Sequence, residues 1–356
     1  MGVYVCGITP YDSAHLGHAF TYVHFDVLVR YLRHLGAEVV HVQNVTDVDD
    51  DILRVAKERG VDFRELAARE VASFEEAMRA IGIVPPTHSP RATEYVPHMI
   101  REVQALVEGG HGYLRDGTVY FRVASDPGYG QLSGYSGEQM IPLAAERGGH
   151  PEDPRKDDPL DFVLWQRSEP GEPWWDSPWG RGRPGWHIEC STMARTLLGR
   201  PVDVHGGGSD LLFPHHESEL AQAEGVPGGA SFVRQWVHTG TVHMSGEKMS
   251  KSLGNMAFVD DLITRHHPAA LRAFLLRHHY RSDWHFDERE LAGPPPEPGE
   301  GPADRESFHR ALQDDLDTPE ALRILDRAAA LGDADSRAVV VEGRALLGLD
   351  LNVSGR

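Results

Sequence analysis

The sequence predicts an α/β fold built on a parallel sheet, with a small α-helical C-terminal domain. Three observations predict it. Short apolar runs of strand length alternate with longer stretches whose apolar residues recur every three or four positions. From Pro85 to about Asp161 this alternation gives way to a Pro- and Gly-rich texture, which reads as an insertion. After Asn255 the chain turns helical, broken by a linker at Gly293-Pro294-Pro295-Pro296-Glu297-Pro298-Gly299-Glu300-Gly301-Pro302.

Val3-Tyr4-Val5 reads as a buried strand, Cys6-Gly7-Ile8-Thr9-Pro10 as a turn, and a helix begins near His15 and runs through Ala19 to Leu35. A second strand, Glu38 to Gln43, ends in the acidic loop Thr46-Asp47-Val48-Asp49-Asp50-Asp51. A helix follows, then another from Asp62 to Ile81. Strands and helices in this alternation imply right-handed crossovers between parallel strands. Within the insertion, Thr118 to Val123 reads as an isolated strand. Strand and helix signals resume at Phe162 to Trp165 and at Trp186 to Leu198. Val202 to His205 is a further buried strand, ending in Gly206-Gly207-Gly208-Ser209-Asp210. The expected division is a sheet domain over 1–85 and 162–255, an insertion over 86–161, a helical segment over 256–292 and a terminal helical bundle over 303–356.

The bulk numbers bound the function. A chain of 356 residues with 40% apolar and 25% charged residues can bury a large core. No run approaches the roughly 20 apolar residues of a membrane helix, and no signal peptide precedes Val3. Two cysteines exclude a disulfide scaffold and suit a reducing, cytoplasmic setting. The net charge of −19 argues against a large nucleic-acid footprint, since phosphate contacts need clustered Lys and Arg. Twenty-one histidines direct attention to metal or phosphate chemistry.

His15-Leu16-Gly17-His18 stands where the first strand hands over to a helix. Helix N-termini bind phosphate through free N–H groups, Gly17 admits a nucleotide close to the backbone, and both imidazoles can donate to phosphate oxygens. Lys248-Met249-Ser250-Lys251-Ser252, bordered by Gly246 and Gly254, can swing two ammonium groups onto a triphosphate and neutralise a leaving pyrophosphate. Each motif alone has a bland reading, an incidental histidine pair or a solvated lysine loop. Together, in this order on a parallel sheet, they resemble the class I aminoacyl-tRNA synthetases. That resemblance implies a Rossmann-like catalytic domain with an insertion. It further implies ATP as substrate, with Mg2+, attack of an amino acid carboxylate on the α-phosphate, and catalytic roles for His15, His18, Lys248 and Lys251.

A third constellation concerns the amino acid. Cys6 ends the first strand and Cys190 lies in Trp186-His187-Ile188-Glu189-Cys190. In Phe213-Pro214-His215-His216-Glu217-Ser218-Glu219, the i, i+4 spacing puts His215 and Glu219 on one helix face, as two ligands of one metal require. Thiolate and imidazole donors favour zinc. A substrate thiolate bonds such a metal far better than serine's hydroxyl does, which supplies discrimination that an apolar pocket cannot. Cys6-Gly7-Ile8-Thr9-Pro10-Tyr11-Asp12, Asn44-Val45-Thr46-Asp47-Val48-Asp49-Asp50, Gly185 to Cys190 and His205 to Glu217 resemble the cysteinyl-tRNA synthetases. They also resemble the paralogous cysteine ligases of mycothiol biosynthesis, to which Cys6-Gly7-Ile8-Thr9-Pro10 reads closer. The resemblance implies Cys6, Cys190 and His215 as zinc ligands with Glu219 a fourth. It also places Thr9, Thr46 and Trp186 against the cysteinyl part, Asp210 against the ribose, and Gly7, Thr21, Asn44, Gly208 and Val242 around the adenylate.

The acceptor is the open choice. The stretch after Ser252 carries no basic or aromatic-interleaved run to grip an anticodon, so tRNA is not the expected partner. Glu146-Arg147-Gly148-Gly149-His150-Pro151 resembles the insertion segment of the mycothiol ligases, with His150 where an acid is usual. His278 to Trp284 also reads closer to them. These features imply transfer of L-cysteine to the amine of glucosaminyl-inositol by a monomeric protein. Glu219 and Ser89 to Glu94 read closer to the tRNA enzymes, which keeps tRNA charging or another amine as the alternative, and a silent cysteine or adenylate sensor as a minor one. His24, His205 and His216 are the candidate bases toward the acceptor.

Overall fold

The computed structural model describes residues 1–228, 231–244, 246–248, 256–293 and 297–351. The chain divides into two compact units. One comprises Met1–Tyr11, Val40–Arg69 and Pro86–Val237; the other comprises Asp12–Val39, Glu70–Pro85 and His238–Arg356.

The first unit is centred on β1 (Gly2–Ile8), which pairs in parallel with β2 (Val40–Val45) and with β7 (Val202–Gly208) in a sheet of order β2-β1-β7-β8, where β8 is Val233–Thr239. Val3, Tyr4 and Val5 are all fully buried, so β1 shows no alternation, as a strand covered on both faces should not. The register places Tyr4 opposite Val42 on one side and opposite His205 on the other, then slips between Val5 and Ile8. That slip surrounds Cys6 and Gly7. A Cβ on Gly7 would lie 1.5 Å from the Asn44 carbonyl oxygen, so only glycine allows the two strands this close.

The acidic loop after β2 is consumed by local structure. Asp47 accepts from the Thr93 amide at 2.9 Å and hydroxyl at 2.7 Å. Asp49 caps α2 (Asp50–Arg59) by accepting from the Asp51 amide at 2.7 Å. Asp50 pairs with buried Arg183. The helix α3 (Phe63–Ala80) follows, as its spacing predicts, and α4 (Ala92–Glu108) opens the insertion.

Thr118 to Val123 is not isolated. β3 (Gly112–Arg115), β4 (Thr118–Phe121), β5 (Phe162–Arg167) and β6 (Gly182–Pro184) form one antiparallel sheet in sequence order, with α5 (Gly137–Glu146) in the β4–β5 connection. Residues 162–165 therefore pair with β4 instead of rejoining the parallel sheet. β4 has all four residues buried, and such a run needs partners on both edges. α6 (Trp186–Leu198) packs on β1, β2, β5 and β7, and α7 (Glu217–Gly225) packs on α6. One apolar core results, containing Tyr4, Val42, Val103, Phe121, Trp165 and Met193, with Cys6 and Cys190 among its members.

In the second unit, α1 (Leu16–His34) buries Leu16, Ala19, Phe20, Val23, Val27 and Tyr31, the stripe its spacing predicts. β9 (Val242–Met244) pairs with β10 (Glu247–Lys248) and with β11 (Trp284–His285). α8 (Val259–Arg265), α9 (Pro268–Leu276) and α10 (Glu288–Ala292) precede the linker, and α11 (Arg305–Gln313), α12 (Thr318–Leu331) and α13 (Ala334–Leu346) follow it. Fully buried Arg272 on α9 pairs with Asp26 on α1 and donates to the carbonyls of Leu347 at 2.6 Å and Ile81 at 3.1 Å. Within the linker, the carbonyls of Pro298 and Pro302 each accept from Arg327 of α12 at 2.8 Å. Among the described residues, no helix is long and apolar enough to cross a membrane.

Candidate metal and substrate site

Four donors from three places in the first unit meet in the apolar core. Cys6 comes from the slipped end of β1, Cys190 from the first turns of α6, and His215 and Glu219 from the turn into α7 and its start. Their ligand atoms all lie within 4.8 Å of one another. His215 Nε2 is 3.1 Å from Glu219 Oε1, and Cys6 Sγ is 3.4 Å from the same oxygen. None of the four is more than 4% exposed.

The electrostatics of this cluster suit a cation. Burial, then the neighbouring Cys190, pushes Cys6 well above the ordinary thiol range. Burial and Cys190 likewise push the Glu219 carboxyl well up. Burial holds His215 well below the ordinary imidazole range, so its ring is neutral and offers a lone pair. Without a cation, two acids must keep their protons in an apolar core. A dication between them reverses that logic by favouring thiolate and carboxylate. Two sulfurs, one imidazole and one carboxylate form a donor set that fits zinc.

Neighbouring side chains fix the donors. His187 Nδ1 lies 2.9 Å from His215 Nδ1, which commits that nitrogen and leaves Nε2 facing Glu219. Burial lowers His187 to about 3, so it too is neutral. Trp186 stacks on His215 with ring centres 4.2 Å apart. Glu217 accepts from the amides of Gly130 at 2.9 Å, Leu132 at 3.3 Å and Ser133 at 2.8 Å, anchoring a loop of the insertion beside His215. Arg147 donates to the carbonyls of Asp210 and Phe213 on the approach to His215. His187, Glu217 and Arg147 stand in motifs visible in the sequence, but their orienting roles are not, because each acts on a segment distant in the chain.

His205 and His216 extend the cluster. Cys6, His205, His216 and Glu219 form a second tight set sharing two members with the first, with Cys6 Sγ 3.6 Å from His205 Nε2 and 3.3 Å from His216 Nε2. The third candidate base, His24, lies in the second unit, where the Phe20 and His278 carbonyls meet its ring nitrogens at 2.8 and 3.1 Å. Burial lowers it to about 4.

Several residues expected at the substrate sit close to the four donors in chain and space. Gly7 donates its amide to Asn44 Oδ1 at 2.8 Å, and Asn44 Nδ2 donates to the Thr46 hydroxyl at 3.2 Å. Thr9 is half-buried just beyond β1, and Asp210 is exposed beyond Gly208, where a Cβ would press on the Asp210 carboxylate at 2.5 Å. Glu189, assigned no role from sequence, is fully buried, and its carboxylate oxygens make no well-formed hydrogen bond among the described residues. Burial, then Asp49 and Cys190, pushes its carboxyl well up, with the Thr46 hydroxyl a small opposing influence.

In the second unit, His15 caps α1 by accepting the His18 amide at Nδ1, 3.3 Å, and the two rings stack at 3.6 Å. An accepting Nδ1 puts the proton on Nε2, which makes that atom a donor. Thr21 shares its hydroxyl with Thr239 at 2.7 Å, and Val242 is buried in β9 opposite Trp284. The backbone of Lys248 pairs with His243, and Lys251 lies outside the described residues.

The parallel sheet, its insertion and the buried donor set define a class I synthetase type of catalytic domain. More narrowly, residues 1–294 match the tRNA synthetases class I (C) catalytic domain, and the chain belongs to that family. It is 46% identical to the L-cysteine:1D-myo-inositol 2-amino-2-deoxy-alpha-D-glucopyranoside ligase of Thermomonospora curvata, over 94% of this chain and 84% of that one. It is 48% identical to the cysteine–tRNA ligase of Methylococcus capsulatus, over 91% of this chain and 73% of that one. Among solved structures, the methionyl-tRNA synthetase of Mycobacterium tuberculosis in complex with methionyl-adenylate shares the fold, with a TM-score of 0.66 at 17% identity. That match covers 98% of this chain and 88% of the other.

Proposed function

We propose that this protein is an ATP-dependent cysteine ligase that forms cysteinyl adenylate and transfers the cysteinyl group to the amine of an amino sugar of the glucosaminyl-inositol type. The buried set Cys6, Cys190, His215 and Glu219 carries the reading. Both kinds of named relative join cysteine to an acceptor, and their names differ only in what that acceptor is. A zinc ion held by these four residues would bind the substrate thiol as thiolate and discriminate it from a hydroxyl.

The protein's own groups then have defined tasks. His187 holds His215 with Nε2 toward the donor set, and Trp186 covers the imidazole face. Asn44 turns the Thr46 hydroxyl, which we assign to the cysteinyl part with Thr9, while Asp210 takes the ribose. His15 presents an Nε2–H donor to phosphate, with His18 beside it, and Lys248 and Lys251 neutralise the departing pyrophosphate. Positioning and charge stabilisation supply most of the rate enhancement in such a phosphoryl chemistry.

The amino-sugar acceptor is supported by the two relatives named as its ligases, which align over 94% and 98% of this chain. Arg147, in the segment that resembles those ligases, is tied to the stretch leading to His215. Transfer to tRNA is the second reading, favoured by 51% identity to the cysteine–tRNA ligase of Solidesulfovibrio magneticus over 82% of this chain. Purified protein with ATP and cysteine, offered glucosaminyl-inositol and tRNA separately, decides between them. Cysteine in amide linkage on the sugar is expected. Cysteine on tRNA alone would reverse the acceptor.

A further inference from the structure

Beyond the cluster described above, we propose a second, separate metal site formed by His34, His309 and Glu342, which binds zinc or a chemically similar divalent transition ion and pins α1 to α11 and α13. His34 is the last residue of α1, His309 lies in α11 and Glu342 in α13. The three offer ligand atoms within 4.8 Å of one another. Glu342 Oε1 is 3.5 Å from His34 Nε2 and 3.3 Å from His309 Nε2. Bonds of about 2.0–2.2 Å to a tetrahedral zinc separate neighbouring donors by about 3.3–3.5 Å. Both distances to the carboxylate oxygen already have that length.

The surroundings of His309 supply an independent argument. The Tyr31 hydroxyl donates its one proton to the His309 carbonyl at 3.3 Å. That hydroxyl also lies 3.3 Å from His309 Nδ1, a partner to which the imidazole can donate. A proton on Nδ1 leaves Nε2, 3.3 Å from Glu342 Oε1, as the ring's ligating nitrogen when an ion takes the place of their hydrogen bond. A hydrogen-bonded Nδ1–H behind a ligating Nε2 is the arrangement metal-bound histidines use. The two imidazoles lie nearly parallel, 14° apart with centres at 5.1 Å, so both edges face Glu342.

Arg305 clasps the carboxylate from the far side, with Nε 2.6 Å from Oε2 and Nη2 2.7 Å from Oε1. It orients the group and leaves the second lone pair of Oε1 toward the histidines. The side chains of His34, Glu342 and His309 are 31%, 23% and 17% exposed, so water can complete the coordination. Two imidazoles and one carboxylate select zinc, nickel, cobalt or copper over magnesium and calcium. An ion here ties three helices far apart in sequence, which makes its role structural.

The test uses the full-length protein, stripped with chelator and reloaded with zinc. Elemental analysis after gel filtration is expected to find two zinc ions per chain in the natural protein and one in a His34→Gln, His309→Gln double variant. Equal zinc in both proteins would overturn the proposal. Cys6→Ser, which removes the thiol shared by both buried sets, must still bind one ion; none would overturn it equally. Cobalt on Cys6→Ser is expected to give ligand-field bands without thiolate charge transfer, and adding Glu342→Gln is expected to weaken that binding at least tenfold.

Discussion

At the scale of single residues, the decisive contrast is between a buried cysteine that only fills space and one that faces other donors. Cys6 and Cys190 both belong to the apolar core, as free cysteines commonly do. What sets them apart is the His215–Glu219 pair brought within reach of both. Cys190→Ser is therefore expected to lose the buried zinc and cysteine activation together. Retained zinc at that set with unchanged turnover would contradict the ligand assignment.

Proton linkage gives a second prediction at this scale. Burial raises the carboxyls of Glu219 and Glu189. Each stays protonated in the folded, metal-free chain but ionises on unfolding. Their stabilising contribution is full below the ordinary value of 4.5 and is lost as pH rises toward the folded-state value. His215 and His187 act in the opposite sense, but only below 6.5, where the unfolded chain binds their protons. Above pH 6.5 the carboxyls dominate until the pH reaches their folded-state values. Denaturant titrations should show metal-stripped protein losing on the order of 1 kcal/mol per pH unit for each protonated carboxyl, and zinc-loaded protein losing much less. A flat profile for the stripped protein would contradict this.

At the scale of elements, the slipped end of β1 is the feature that positions Cys6. Gly7→Ala would drive a methyl group into the Asn44 carbonyl, and the overpacking cost is about 3 kcal/mol, the upper end of its usual range. Thermal unfolding should shift down by several degrees, and an unchanged midpoint would show that the strands have room. Gly7 illustrates how far a sequence can be read. Its place in the motif is visible there, but the 1.5 Å approach to Asn44 is a tertiary fact. The parallel strands and α1 were legible because buried strands and amphipathic helices carry strong periodic signals. The antiparallel sheet was not: β6 is three residues long and contains Pro184, and β4 finds β5 only across α5 and its flanking loops. The acidic loop is plain in the sequence, but the tasks of its carboxylates, capping α2, binding Thr93 and pairing with Arg183, are tertiary facts.

At the scale of the whole molecule, the family membership and the four donors were both readable from short motifs. Thiol, imidazole and carboxylate chemistry is carried by residue identity and spacing, and the fold only has to bring them together. The residues that orient them, His187, Glu217 and Arg147, stand in the same motifs, but they act across long stretches of chain and their roles leave no such trace. The acceptor is least legible, since relatives named for either acceptor match most of this chain at similar identity. What unites the account is activation of cysteine, and cysteine-dependent exchange of labelled pyrophosphate into ATP by fully zinc-loaded protein tests it most directly. Exchange with cysteine and little with serine is expected. No exchange with cysteine, or equal exchange with both, would contradict it.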